Sequence, residues 1–77
     1  MMTTAPLTEP VFIQDIFVTG LAGVSEVGGN CRLSFFAERA AIGDMPAERV
    51  IVCHLLLPSD RRLAIFREIA SRTERLN

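Results

Sequence analysis

Lysine is missing altogether: all eight basic residues are arginine. Arginine offers carboxylates a bidentate fork that lysine lacks, although a compositional bias of the source genome explains the choice equally well. Nine acidic residues bring the formal net charge to −1. That balance supplies no global field to gather nucleic acid or an anionic membrane surface. Histidine occurs once, as His54, and cysteine twice, as Cys31 and Cys53. Zinc sites want ligand pairs spaced about two to four residues apart on a turn, which these residues do not provide. Cys53 and His54 are adjacent, so on a strand they point to opposite faces. No metal is expected, and both thiols are read as small core hydrophobes.

No apolar run is long enough to cross a bilayer. The longest, Val50 to Leu57, is interrupted by His54 and falls far short of the ~20 residues a spanning helix needs. Residues Met1 to Pro6 show neither the basic run nor the apolar stretch of a secretory signal. A cytoplasmic protein with reduced thiols is therefore the expectation. Gly28-Gly29-Asn30 is not a phosphate loop, because no helix and no Lys-Ser/Thr pair follows it. With no catalytic motif in the chain, neither an enzymatic activity nor a cofactor is expected.

What is present is a globular composition, 49% hydrophobic and 22% charged, in 77 residues. That is chain enough for one core only. Residues 1–10 read as a polar, proline-bearing flexible leader, and 11–77 as a single domain. Val11 to Val18 (VFIQDIFV) is rich in β-branched and aromatic residues, which predicts a first strand. Val24 to Val27 alternates apolar and polar, as a half-buried strand does. Gly28-Gly29-Asn30 tolerates the positive φ that tight hairpins require. Cys31 to Glu38 predicts a third strand, with Cys31, Leu33, Phe35 and Ala37 on one face. Residues 39–48 carry Gly43-Asp44 and Pro46 and read as a loop.

Arg49 to Leu57 is the predicted fourth strand and is apolar on both faces. Strict alternation puts Val50, Val52 and Leu56 on one side with His54, and Ile51, Cys53, Leu55 and Leu57 on the other. Pro58 ends it. Ser59 is placed as the N-cap of a helix running to about Arg75, with Asp60 in its first turn. At about 100° per residue, Leu63, Phe66, Ile69, Ala70 and Thr73 form its apolar stripe, which Ile65 and Leu76 widen. Glu68 and Arg72 form an i,i+4 pair in the favourable order. The fold class is thus α+β: an antiparallel β-meander of three to four strands followed by one C-terminal amphipathic helix.

One helix covers one face of a sheet, yet the fourth strand is apolar on both. Phe36 adds an aromatic to the otherwise polar face of the third strand. The simplest cover is a second copy, and twofold dimers are the commonest oligomers. Phe36, Val50, Val52 and Leu56 are the candidate interface residues. The leader or the 39–48 loop folding over that face is the alternative. A further protein partner is compatible with the same surface.

Three polar residues stand out as candidate binding positions. His54 sits among Val and Leu, where it is either a structural or interface histidine satisfied by a hydrogen bond, or a functional base. As a base it would need a partner such as Asp15 or Ser34. Asp15 interrupts the first apolar segment, either as an edge residue or as a partner for an arginine across a subunit boundary. Arg62 projects near the apolar stripe of the helix, where it snorkels or holds an anion. The outer arginines of the helix alternate with Asp60, Glu68 and Glu74 and read as a solvated, salt-bridged face.

The order of elements resembles that of uncharacterised short bacterial strand-loop-strand-helix proteins of unknown function. Cys31-Arg32-Leu33-Ser34-Phe35 and Val50 to Pro58 with Ser59 to Leu76 carry the likeness, over roughly half of the chain. The resemblance implies the fold and brings no functional residue with it. The functional expectation is a non-enzymatic, homo-oligomeric structural or protein-interaction module. A small-molecule or anion-binding protein with its site at a subunit boundary is the second reading.

Overall fold

The structure is a computed structural model that describes residues 5–76. Three antiparallel strands, β1 (Gly20–Val27), β2 (Asn30–Arg39) and β3 (Glu48–Pro58), form one sheet in the order β1-β2-β3. A 3-10 turn, Ser59–Arg61, leads into helix α1 (Arg62–Thr73). The chain is α+β, a meander with a C-terminal helix. Of the leader expected over 1–10, residues 1–4 lie outside the described residues, and 5–10 have no regular secondary structure.

The first hairpin turns where glycine is required. Val27 pairs with Asn30, and the two residues between them, Gly28 and Gly29, have φ of 56° and 79°. Two consecutive positive φ values define the tight turn whose twist matches a β-ribbon. The second connection contains a small turn closed by Ile42 and Met45, with Gly43 at φ 57°.

β1 and β3 are each irregular at one point. On β1 the register with β2 shifts between Leu21 and Gly23. On β3 it shifts so that Cys53 faces Phe35 while Ile51 faces Phe36, leaving Val52 as an extra residue. Such a bulge resets the alternation of faces. Strict alternation therefore misplaces the start of β3. Ile51 shares the face of Phe36, and Val50 pairs with Ala37 on the other face, away from Val52 and Leu56.

The predicted strand over Val11 to Val18 does not form within the chain: these residues are neither helix nor strand, and all are exposed. The ladder with β2 ends at Thr19, whose N–H donates to Phe36 O at 2.8 Å. β2 runs on to Arg39, but the Glu38 N–H is taken by Thr19 Oγ1 at 3.1 Å, and Val11–Val18 has no strand neighbour among the described residues. The N-terminus of the helix also differs from expectation. Ser59 makes no capping hydrogen bond and lies in the 3-10 turn, and α1 begins at Arg62. Of the predicted stripe, the residue that docks is Ile65 on its flank. Ile65 packs on the sheet, whereas Leu63 and Ile69 are exposed and Phe66 is 36% exposed. The Glu68–Arg72 pair forms, with Nη2 to Oε1 at 2.6 Å.

The core is correspondingly small. Among the described residues only Cys31, Leu33 and Leu57 are buried, with Phe35 and Ile65 packed against them. Leu33 is the central residue of that set by sequence and register. Leu33→Ala should cost about 2–5 kcal/mol, a large share of what a domain this size holds. Denaturant melts of the two proteins under identical conditions measure it. Gly29→Val places a β-branched residue at φ 79° and should cost about 1–2 kcal/mol, read in the same melts.

Candidate functional site

The two faces of the sheet differ in what they meet. Cys31, Leu33 and Phe35 of β2 share a face with Leu57, Leu55 and Cys53 of β3, their partners in register. The helix reaches only one end of it, through Ile65. Leu55 on this face is exposed. The opposite face carries Arg32, Ser34 and Phe36 beside Leu56, His54 and Ile51. Among the described residues the helix side chain that packs on the sheet, Ile65, lies against the other face, and Leu56 here is 60% exposed.

Polar side chains on that open face are paired with one another. Ser34 Oγ and His54 Nδ1 lie 2.8 Å apart, as opposed residues of β2 and β3. A hydroxyl can donate to an imidazole nitrogen or accept from it, so either tautomer is satisfied. Arg49 places its guanidinium carbon 5.1 Å from the centroid of the Phe36 ring, within cation–π range. The same ring fills the space over Gly20, where an added Cβ would lie 2.6 Å from its Cζ atom. Arg32 is half-buried, and its Nε is buried without a hydrogen-bond partner. Neither the stacking of Arg49 nor the burial of Arg32 is legible in the sequence, because both depend on the cross-strand register.

The three predicted binding residues are not brought together. His54 lies mid-strand on the open face, held by Ser34 rather than by Asp15. Arg62 turns back on its own backbone, donating from Nη1 to Ser59 O at 2.9 Å. It borders an open groove of about 270 Å³ with Val24, Ser25, Glu26, Cys31 and Ser59. Asp15 stands in the exposed Val11–Val18 segment and takes part in no ion pair among the described residues. The candidate interface residues fare differently: Phe36, Val52 and Leu56 share the open face, and Val50 lies on the other.

Cys31 and Cys53 are both free thiols. Among the described residues, no three or more His, Cys, Asp or Glu side chains stand together as metal ligands would. Among them also, no helix is long and apolar enough to cross a membrane. The ion pairs, Arg39–Glu48 at 3.6 Å and Glu68–Arg72, are exposed, and such pairs contribute little stability.

The chemistry on offer is thus that of a contact surface. An apolar strip of Phe36, Ile51, Val52 and Leu56 is interrupted by a paired His–Ser couple and edged by arginine. Compared with known proteins, the chain matches no family model, and neither curated proteins nor solved structures show a significant similarity to it.

The orphaned Nε of Arg32 makes a prediction. Arg32→Met keeps an unbranched stem and removes a buried, unpartnered N–H, whose burial costs about 1–3 kcal/mol. The variant should equal or exceed the parent in stability, whereas Arg32→Ala, which loses the stem as well, should fall below it. Thermal melts of the three proteins at equal concentration give the order.

Proposed function

We propose that the protein is a non-enzymatic, homo-oligomeric structural or protein-interaction module whose working form is a twofold dimer. The carrying observation is its uncovered surface. The chain exposes 7273 Å², against about 4,700 Å² for a folded monomer of its mass. The surplus, about 2,600 Å² per chain or about 5,200 Å² for two, lies at the upper end of what obligate homodimers bury in total. Its residues are of the kind that such interfaces use: Phe36, Ile51, Val52 and Leu56 on the sheet, Leu63, Phe66 and Ile69 on the helix. A cluster of three buried side chains is too small to hold a domain folded alone. Association and folding are then one equilibrium.

The second reading, a small-molecule or anion site at a subunit boundary, has less behind it. The groove beside Arg62 is open, and the guanidinium that would hold an anion already donates to Ser59 O. The free thiols of Cys31 and Cys53 support a reducing, cytoplasmic setting.

Sedimentation at low micromolar concentration should give about twice the 8.5 kDa chain mass, and the melting temperature should rise with protein concentration. A chain that sediments as a monomer and melts independently of concentration overturns the reading.

A further inference from the structure

Resting on the dimer reading, we propose how the copies join: Val11–Val18 of each chain adds as a fourth strand to the free edge of β1 in the other. The occupant of that edge is a second copy of this chain.

Two unsatisfied features of one chain complement each other. The segment Val11–Val18 has eight residues, six of them Val, Ile or Phe. All of it is exposed, from 93% accessible at Phe12 to 36% at Val18. Composition of this kind belongs to strands, not to disordered tails. β1 is also eight residues long, and only its inner edge is paired, to β2. Its outer edge presents a row of unpaired N–H and C=O groups, the template on which an extended segment adds.

Chain continuity selects this edge over the other free one. The segment runs directly into β1 through Thr19, the last residue hydrogen-bonded to β2. A twofold axis beside Thr19, with the strands antiparallel, lays each copy's Val11–Val18 along the mate's Gly20–Val27. Both edges are filled at once by one symmetric contact, and no further copy can add. The edge of β3, in contrast, carries Glu48, Arg49 and a terminal Pro58, residues that protect an edge from pairing. β1 has one charged residue, Glu26.

The shape agrees. The radius of gyration is 16.5 Å, with a long axis of 61 Å, against about 11.5 Å for a compact chain of this length. Exchange of the segment returns that projecting apolar length to a sheet. Each half of the dimer then has four strands, the fourth supplied by the partner.

The test uses the full chain with Ile13→Pro. Residue 13 makes no backbone hydrogen bond of its own within the described chain, so proline there leaves the monomer's sheet untouched. It removes an N–H from the added strand. The dimer dissociation constant should rise at least about a hundredfold, while Ile13→Val leaves it unchanged. Amide exchange followed by NMR reads the edge. In the parent at dimeric concentration, amides of residues 11–18 and alternate amides of β1 should be protected, and those of Ile13→Pro should not. A parent dimer that Ile13→Pro leaves intact overturns the strand exchange and spares the dimer. Protection at the outer edge of β3 instead of β1 overturns the choice of edge. A parent that is monomeric overturns both this proposal and the reading it rests on.

Discussion

Three side chains, Cys31, Leu33 and Leu57, are what this chain hides from water by itself, and that shortage governs the rest. A hydrophobic fraction of 49% is ample for a core, so the shortage is one of geometry and not of composition. Three strands and one short helix cannot enclose the apolar surface they carry. β3 is apolar on both sides, and α1 reaches one end of one side through Ile65. Hydrophobic burial scales with the area removed from water, so among the described residues one copy draws little stability from its core.

The local elements were legible in the sequence because their causes are local. Gly28-Gly29 marks a turn needing two positive φ values and makes it. The long apolar run Val50 to Leu57 marks a strand, and it lies within the longest strand of the sheet. The Glu68–Arg72 pair follows from helical spacing alone. What escaped is what depends on distant chain. A strand over Val11 to Val18 needs a neighbour, and the ladder with β2 closes at Thr19, whose hydroxyl takes the Glu38 N–H. The extra residue at Val52 is a property of two strands in register, and it moves Val50 to the face opposite Val52 and Leu56. Which part of the apolar stripe of α1 docks was not legible either: Ile65 on its flank packs on the sheet, while Phe66 at its middle is 36% exposed.

The candidate site was legible only in its residue types. His54 needed a hydrogen-bond partner, and of the two named from the sequence, Ser34 and Asp15, the register delivers Ser34. Arg62 was the residue out of place on the helix, and its guanidinium returns to the Ser59 carbonyl. The stacking of Arg49 on Phe36 and the half-burial of Arg32 follow from which strands adjoin, which periodicity does not encode.

Asp15 takes on a different meaning beside these features. An eight-residue stretch of strand formers, VFIQDIFV, is the kind of segment that stacks into cross-β aggregates when it is exposed. Every window of five consecutive residues within Val11–Val18 includes Asp15. Stacking identical copies in register would pile these carboxylates on one another at the ~4.8 Å spacing of such fibrils, where like charges repel. One carboxylate, tolerable in a two-chain sheet and cumulative in an endless one, acts as a gatekeeper that favours closed pairing over open-ended polymerisation.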